Sequence, residues 1–372
     1  MSTARRAEAQ ILFDGVDISK DLKKYLLSVE YTDSEGIDEA DDLQISLQDR
    51  SGIWQAGWLQ SAVEAAANRS RLDPALSSLT IQAKILKYDG TGGRPSVLDC
   101  GKFQLDAVSV SGPPDVITIK GTSVPYHAAM RNTKVERTWK GQKLTQIAQT
   151  LAKECRLGLK TYLKNDPAVS ADQNNEANAA FLARICRKYG IRCKMTDNAI
   201  VLYENDTAAI AGPVRIDQED VISKRMDAGR AQTEYQICRV WYVPPGGSLI
   251  EGKAYTDDYD KEKDDNLQLD WNTRVGTKAE AEAIARHELA LHNSYALSGS
   301  VTVPGDFRLL GGTDVELWGF GFWSGDYIAA SAKHTVSDSG YVTEVSLRKN
   351  PRPDPERREV YRPPSAGELQ PI

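Results

Sequence analysis

The sequence predicts a mainly β protein with an α+β insert, two similar β-barrels flanking a small α/β domain. Three observations carry this. From Leu297 to Lys349 apolar and polar residues alternate at period two, and Gly-containing turns cut the run into short segments. The same alternation fills much of residues 1–126. Between them, in residues 127–205, the apolar period lengthens to that of a helix. A β-meander must close on itself or pair its edges, which predicts a barrel at each end of the chain.

In residues 1–126, Asp14-Gly15 signals a turn ahead of the amphipathic stretch KDLKKYLLSVEY. An acidic loop, SEGIDEADD, precedes a strand in which Leu43, Ile45 and Leu47 alternate with Gln44, Ser46 and Gln48. The Ala-rich SAVEAAANRS reads as a helix interrupting the sheet. Leu79, Ile81, Ala83 and Ile85 then share a face, Phe103 and Leu105 follow, and Ile117 and Ile119 come after the Gly112-Pro113-Pro114 break.

In residues 127–205, Leu144, Ile147, Ala148, Leu151, Ala152 and Cys155 recur at helical spacing, with Gly158 just past the end. A second helix carries Phe181, Leu182, Ile185, Cys186 and Tyr189 and is closed by Gly190, before the strand AIVLYE. This domain has a core of its own.

In residues 206–350 a strand holds Tyr235, Ile237, Val240 and Tyr242 and stops at Pro244-Pro245-Gly246-Gly247. TDDYDKEKDD is a solvated acidic loop. One helix, Lys278 to His292, buries Ala281, Ile284, Ala285 and Leu289. In the meander, Val301 and Val303 share a face, as do Val315 and Leu317. Ile328, Ala330, Ala332 and Val336 line the next strand, and Tyr341, Thr343, Val345 and Leu347 return after Asp338-Ser339-Gly340. Gly325-Asp326-Tyr327 echoes Gly101-Lys102-Phe103, each opening a strand, a turn and a return strand, as a duplicated barrel would leave behind. The tail, 351–372, is rich in proline and charge and reads as extended.

At 372 residues the chain exceeds what one core serves, so more than one domain is expected. No apolar run approaches the roughly 18 residues of a membrane span, and MSTARRAEAQ lacks the apolar core of a signal peptide. Synthesis and folding in a cytoplasm is the expectation. A net charge of −6 argues against nucleic acid as a principal partner, because phosphate neutralisation needs a basic face. The five cysteines form no CxxC pair and read as buried free thiols.

Catalytic and metal motifs fare poorly. His287 and His292 are five residues apart, about 140° around a regular helix, so both cannot reach one ion. His292 is expected at the core margin and His287 in solvent. His127 and His334 have no Cys or His partner nearby, and His334 falls on an inward strand face, where a hydrogen-bonded structural role is expected. There is no GxSxG elbow, phosphate-binding glycine loop or GxGxxG fingerprint. The carboxylate pairs Asp41/Asp42, Asp257/Asp258 and Asp264/Asp265 all sit in generally acidic loops. No catalytic residue, cofactor or metal is therefore assigned. Trp318, Phe320, Phe322 and Trp323, four large aromatics in six residues, are either core or an interface anchor.

Three stretches together resemble one family. YLLSVEYTDSEGIDEADDLQISLQDRSGIW is similar to the opening barrel of the phage late control D proteins, the baseplate hubs of contractile tails. TWKGQKLTQIAQTLAKECRLGL with AFLARICRKYGIRCKMTDNAIVLYE is similar to their middle domain, and LSGSVTVPGDFRLLGGTDVELWGFGFWSGDYIAASAKHTV to their closing barrel. SAVEAAANRSRLD lengthens a connection in the first barrel, and no spike repeat follows Lys349. The family is related in fold to the N-terminal part of type VI secretion spike proteins. The resemblance implies a homotrimeric virion component with tube-like hub domains at 1–126 and 206–350 and a middle domain at 127–205. It would adapt a six-fold tail tube to a three-fold spike. Its partners would be its own copies, the tube protein, the spike and other baseplate proteins, with tape-measure protein or DNA in the lumen. Trp318, Phe320, Phe322 and Trp323 become candidate subunit or tube contacts. Two other readings stand beside it. GQKLTQIAQTLAKECRL resembles the first helix of peptidoglycan-binding LysM domains, although LKTYLKNDPAVSADQNNEAN separates it unusually far from the second helix. A tail-associated cell-wall hydrolase is the third.

Overall fold

The computed structural model describes residues 6–13, 15–36, 41–52, 80–90, 93–123, 130, 133–195, 199–204, 212–229, 235–256, 259–262 and 266–350. The expected helix in SAVEAAANRS, the tail 351–372, His127, and the carboxylates Asp257, Asp258, Asp264 and Asp265 lie outside the described residues.

The protein is mainly β. The first region holds β1 (Arg6–Phe13), β2 (Val16–Asp17), a single helical turn α1 (Ser19–Leu22), β3 (Leu26–Ser34), β4 (Asp42–Gln48), β5 (Thr80–Tyr88), β6 (Ser96–Ser111) and β7 (Val116–Thr122). The middle region holds β8 (Lys134–Lys143), α2 (Leu144–Glu154), β9 (Gly158–Tyr162), β10 (Ala168–Ala177), α3 (Asn178–Lys188), β11 (Arg192–Met195) and β12 (Ala199–Tyr203). The last holds β13 (Val214–Asp217), β14 (Ser223–Ala228), β15 (Ile237–Tyr242), β16 (Ile250–Tyr255), β17 (Gln268–Asn272), α4 (Lys278–Ser294), β18 (Leu297–Pro304), β19 (Asp314–Trp318), β20 (Gly325–Ser337) and β21 (Gly340–Lys349).

The two β regions are joined into one 13-stranded sheet, in the order β14-β18-β21-β20-β3-β4-β7-β6-β5-β1-β2, with β19 on β20 and β13 on β19. Within it one arrangement occurs twice. β3-β4-β7-β6-β5-β1 and β14-β18-β21-β20-β19-β13 place successive strands of the chain in the same spatial order. One pairing differs: β1 runs antiparallel to β5, whereas β13 runs parallel to β19.

The hinge between the halves is β20. Its first residues pair with β19 and its last seven, Ser331–Ser337, pair with β3. A bulge between Ala329 and Ser331 offsets its ladder with β21. One inserted residue reverses which side chains face which side, which corrects the expected Ile328-Ala330-Ala332-Val336 face. Tyr327 and Ala329 instead enter the core of the second half, and Val336 enters that of the first. β20 thereby fastens two cores together.

The middle region packs α2 and α3 around Leu144, Ile147, Leu151, Phe181, Leu182 and Ile185. Both helices end in the same reversal, with Leu157 N–H donating to Ala152 O at 2.8 Å and Ile191 N–H to Cys186 O at 2.9 Å. Gly190 takes the left-handed position after α3 (φ +69°). After α2 that position belongs to Arg156 (φ +57°) rather than to Gly158, which opens β9. Inside the last region, β16-β15-β17 and α4 form a further α/β layer with its own core, including Cys238, Val240, Ile284 and Leu289. This differs from the single helix within the last barrel that the sequence predicts. A Cβ on Gly252 would lie 2.3 Å from the Glu282 nitrogen, so β16 and α4 touch backbone to backbone there. All five cysteines are free, with Cys155 half-buried and the others buried.

Candidate assembly interfaces

The four aromatics divide by environment. β19 delivers Trp318 to the surface half-exposed, and the Arg215 guanidinium lies 4.2 Å over its ring while forking onto Asp217. Phe320 turns into the core of the second half at 5% exposure, beneath the Lys224 ammonium at 4.9 Å. Trp323 is half-buried against that core, and its carbonyl accepts the Tyr327 hydroxyl at 2.8 Å. Phe322 stands out at 74% exposure, the highest among the exposed large apolar side chains of the described residues, edge-on to Trp323 at 5.1 Å. Gly319 (φ +78°) and Gly321 (φ +60°) permit the tight turn that splits neighbours this way. Phe322, flanked by the half-buried Trp323, is the most exposed member of the cluster.

A second constellation was not legible in the sequence. Asp33, at the end of β3, is buried, and its carboxylate accepts the Tyr31 hydroxyl at 3.0 Å, the Gly311 N–H at 2.7 Å and the Lys194 ammonium from β11. Two residues on, Glu35 receives Arg192 of β11 at 3.1 Å and Arg348 of β21 at 2.7 Å, and Arg192 also donates to Gly312 O at 3.1 Å. Gly311 cannot be larger, because a Cβ would lie 2.5 Å from the Ser34 carbonyl carbon. Five ionic groups thus tie the middle region to both halves of the sheet. Burial lowers the Lys194 ammonium, but Asp33 and Asp41 more than offset it and leave its pKa raised. Asp41 itself is pushed up to about 6, mainly by burial, opposed by Lys194 and reinforced by Asp33. Its Oδ1 accepts the Ser34 N–H at 3.0 Å, while the adjacent Asp42 is exposed, so this carboxylate pair does not converge. The available signal was Asp33 itself, an acid on the inward parity of Val29 and Tyr31.

The histidines serve packing. His334 is fully buried and shared among the Tyr341 hydroxyl (2.7 Å), the Leu309 carbonyl (2.9 Å) and the Thr343 hydroxyl (3.2 Å). Burial lowers its pKa. His292 is half-buried between Tyr235 and Trp271. His287 is half-buried too, its ring against Gly190 at the end of α3, which corrects the expectation that it is solvated. Among the described residues no group of three or more His, Cys, Asp or Glu is arranged to hold a metal ion. No helix among them is long and apolar enough to cross a membrane.

On the middle region an open groove of about 730 Å³ is lined by Gln142, Thr145, Gln146, Gln149, Leu159 and Thr161. Apart from Leu159 its lining side chains are amides and hydroxyls, and none is charged. Asp166 fixes one wall by accepting both the N–H (3.1 Å) and the hydroxyl (2.6 Å) of Thr145.

No family model matches the chain. Two curated relatives are each named probable baseplate hub protein. That of Escherichia phage 186 is 26% identical over 197 residues, covering 52% of this chain and 44% of the relative. That of Escherichia phage P2 is 29% identical over 183 residues, covering 48% and 41%. The chain therefore spans less than half the length of the curated relatives it matches. Both carry the name of a structural hub and not of an enzyme. Among solved structures, the 43 kDa tail protein of prophage MuSo2 from Shewanella oneidensis superposes with a TM-score of 0.65 at 14% identity, over 94% of this chain and 100% of that one. The lidded PdpA-VgrG complex of Francisella gives 0.52 at 9% identity, over 93% and 53%. At these identities the structural likeness is one of fold. The chain is thus similar in sequence to the probable baseplate hub proteins of two phages and has the mainly β fold of a phage tail protein, in line with the resemblance read from its sequence.

Proposed function

We propose that this chain is the baseplate hub of a contractile phage tail or phage-tail-like particle, a homotrimer that adapts a six-fold tail tube to a three-fold spike. The observation that supports the reading is the strand order repeated in the two halves of one sheet. Two similar units per chain convert three copies into six pseudo-equivalent positions, so one face of the ring can match a hexameric tube while the other keeps three-fold symmetry. On this reading the protein binds, and its role is mechanical. The buried charges around Asp33 and Glu35 hold the middle region on the ring, where it meets other baseplate proteins. The Trp318, Phe320, Phe322 and Trp323 turn meets a subunit or the tube, chiefly through Phe322. The lumen passes tape-measure protein or DNA, and assembly takes place in the bacterial cytoplasm before incorporation at the tail tip. Light scattering on the purified chain and averaged images of particles test this. A trimer, or three-fold density at the tail tip, is expected; a monomer within assembled particles refutes it.

The uncharged Gln- and Thr-lined groove supports a second reading, in which the middle region binds peptidoglycan sugars as LysM domains do. Amides and hydroxyls suit neutral polyols, but the strands β9 and β10 between α2 and α3 lengthen the connection between the helices. Specific retention on purified peptidoglycan, lost on substituting Gln146 and Gln149 by Ala, is the outcome this reading requires. Release of reducing sugar from the same material would instead favour a tail-associated hydrolase.

A further inference from the structure

The repeated strand order makes β3 the counterpart of β14, β4 of β18, β7 of β21 and β6 of β20. The correspondence extends to single residues. β20 carries its bulge against β21 between Ala329 and Ser331, and β6 carries one against β7 between Leu105 and Ala107. Aligning the bulges sets Val108 with Ala332, Ser109 with Lys333, Val110 with His334 and Ser111 with Thr335. Through the ladders to β7, β21, β4 and β18, the same alignment sets Glu30 with Arg225, Tyr31 with Met226, Thr32 with Asp227 and Asp33 with Ala228.

Inside the chain the two halves meet because the segment of β20 beyond its bulge pairs antiparallel with β3, His334 opposite Tyr31 and Ala332 opposite Asp33. The counterparts of these two edges are both open among the described residues. Among the described residues the segment of β6 beyond its bulge pairs with β7 on one side only, and β14 pairs with β18 on one side only. Ser109, Val110 and Ser111 are exposed, Val110 at 44%, and every residue of β14 except the half-buried Met226 is exposed. An open edge with exposed faces is a template for another strand.

We propose that Val108–Ser111 of β6 pairs antiparallel with Arg225–Ala228 of β14 from a second copy of this chain, with Val110 opposite Met226 and Ser109 opposite Asp227. The register is that of the β20–β3 junction carried over residue by residue. It puts Val108, Val110, Met226 and Ala228 together on the inward face, where the intrachain junction has Ala332, His334, Tyr31 and Asp33. Ser109, Ser111, Arg225 and Asp227 fall on the outward face. The contact is head to tail, so repeating it carries one sheet from copy to copy until the last β6 edge meets the first β14 edge. The inference rests on the hub reading only in needing several copies, and it names the strands that join them.

Directly opposed residues of an antiparallel pair have Cα atoms about 4.5–5.5 Å apart, within reach of a disulfide. The full-length double variant Ser109→Cys with Asp227→Cys, mildly oxidised, is expected to give a ladder of covalent multimers on a non-reducing gel. Ser109→Cys with Arg225→Cys, two residues out of register, and each single variant, which reports the native thiols, are expected to stay uncrosslinked. Light scattering on the same samples separates the possible failures. Multimers that do not crosslink, or that crosslink equally with the out-of-register pair, overturn this pairing and leave the hub reading standing. A monomer in every sample overturns the pairing, and the hub reading falls with it only if averaged images of particles also lack three-fold density at the tail tip.

Discussion

Replacing Lys194 by Met tests whether the middle region is held to the sheet by charge neutralisation. Met keeps the aliphatic stem that packs along the protein and removes only the ammonium. The Asp33 side chain is 3% exposed against 20% for Lys194, so water cannot take over the lost partner. The carboxylate would keep the Tyr31 hydroxyl and the Gly311 N–H but lose its counter-charge. Removing one member of a buried pair costs about 3–5 kcal/mol, a large share of the roughly 5–15 kcal/mol that holds a domain together. Adding Asp33→Asn should recover most of it, because the amide oxygen still accepts from Gly311 and no buried charge is stranded. Urea denaturation of the parent, both single variants and the double variant gives the coupling energy directly. A loss below about 1 kcal/mol for Lys194→Met, or a double variant no better than the sum of the singles, would refute the reasoning.

Three further outcomes follow from single residues. Phe322→Ser should change stability by less than about 0.5 kcal/mol, because the ring is 74% exposed, yet reduce incorporation into particles; Phe320→Ser should instead cost about 3–5 kcal/mol, and unimpaired incorporation of Phe322→Ser would return the cluster to ordinary surface. Asp41, raised to about 6 by burial, binds its proton more tightly folded than unfolded, so it favours folding most at low pH and progressively less as pH climbs from about 4 through 6. Asp41→Asn should match the parent near pH 4 and exceed it at pH 7 by up to about 3 kcal/mol; parallel stability–pH curves would contradict this. Arg156→Gly relieves a left-handed φ of +57° after α2 and should raise stability by about 1 kcal/mol in thermal melts, whereas a loss would mean that the arginine side chain repays its strain.

Much of the fold was legible because its signals are local. Leu43-Ile45-Leu47, Ile81-Ala83-Ile85 and Val315-Leu317 bury alternate residues as their spacing dictates. α2 and α3 bury the residues that recur at helical period. β13 and β14 are poorly marked in the sequence, because VRID alternates over only four residues and SKRMDA has one large apolar side chain, Met226, the single half-buried residue of an otherwise exposed strand. An edge strand answers to its partner rather than to a core, so its own sequence says little. The aromatic turn was found from composition, but only backbone geometry at Gly319 and Gly321 separates the buried Phe320 from the exposed Phe322.

By itself the sequence determined a mainly β chain with a helical insert, the burial parity of most strands, and a likeness to phage hub proteins. Each follows from interactions between residues a few positions apart, or from order along the chain. The tertiary structure alone decided that the two β regions are one sheet hinged at β20, since a single-residue bulge reverses parity without marking the sequence. It alone brought Asp33 and Glu35 to Lys194, Arg192 and Arg348. Partners 161 and 313 residues apart leave no periodic trace, because what unites them is the need to neutralise charge where three parts of the chain exclude water.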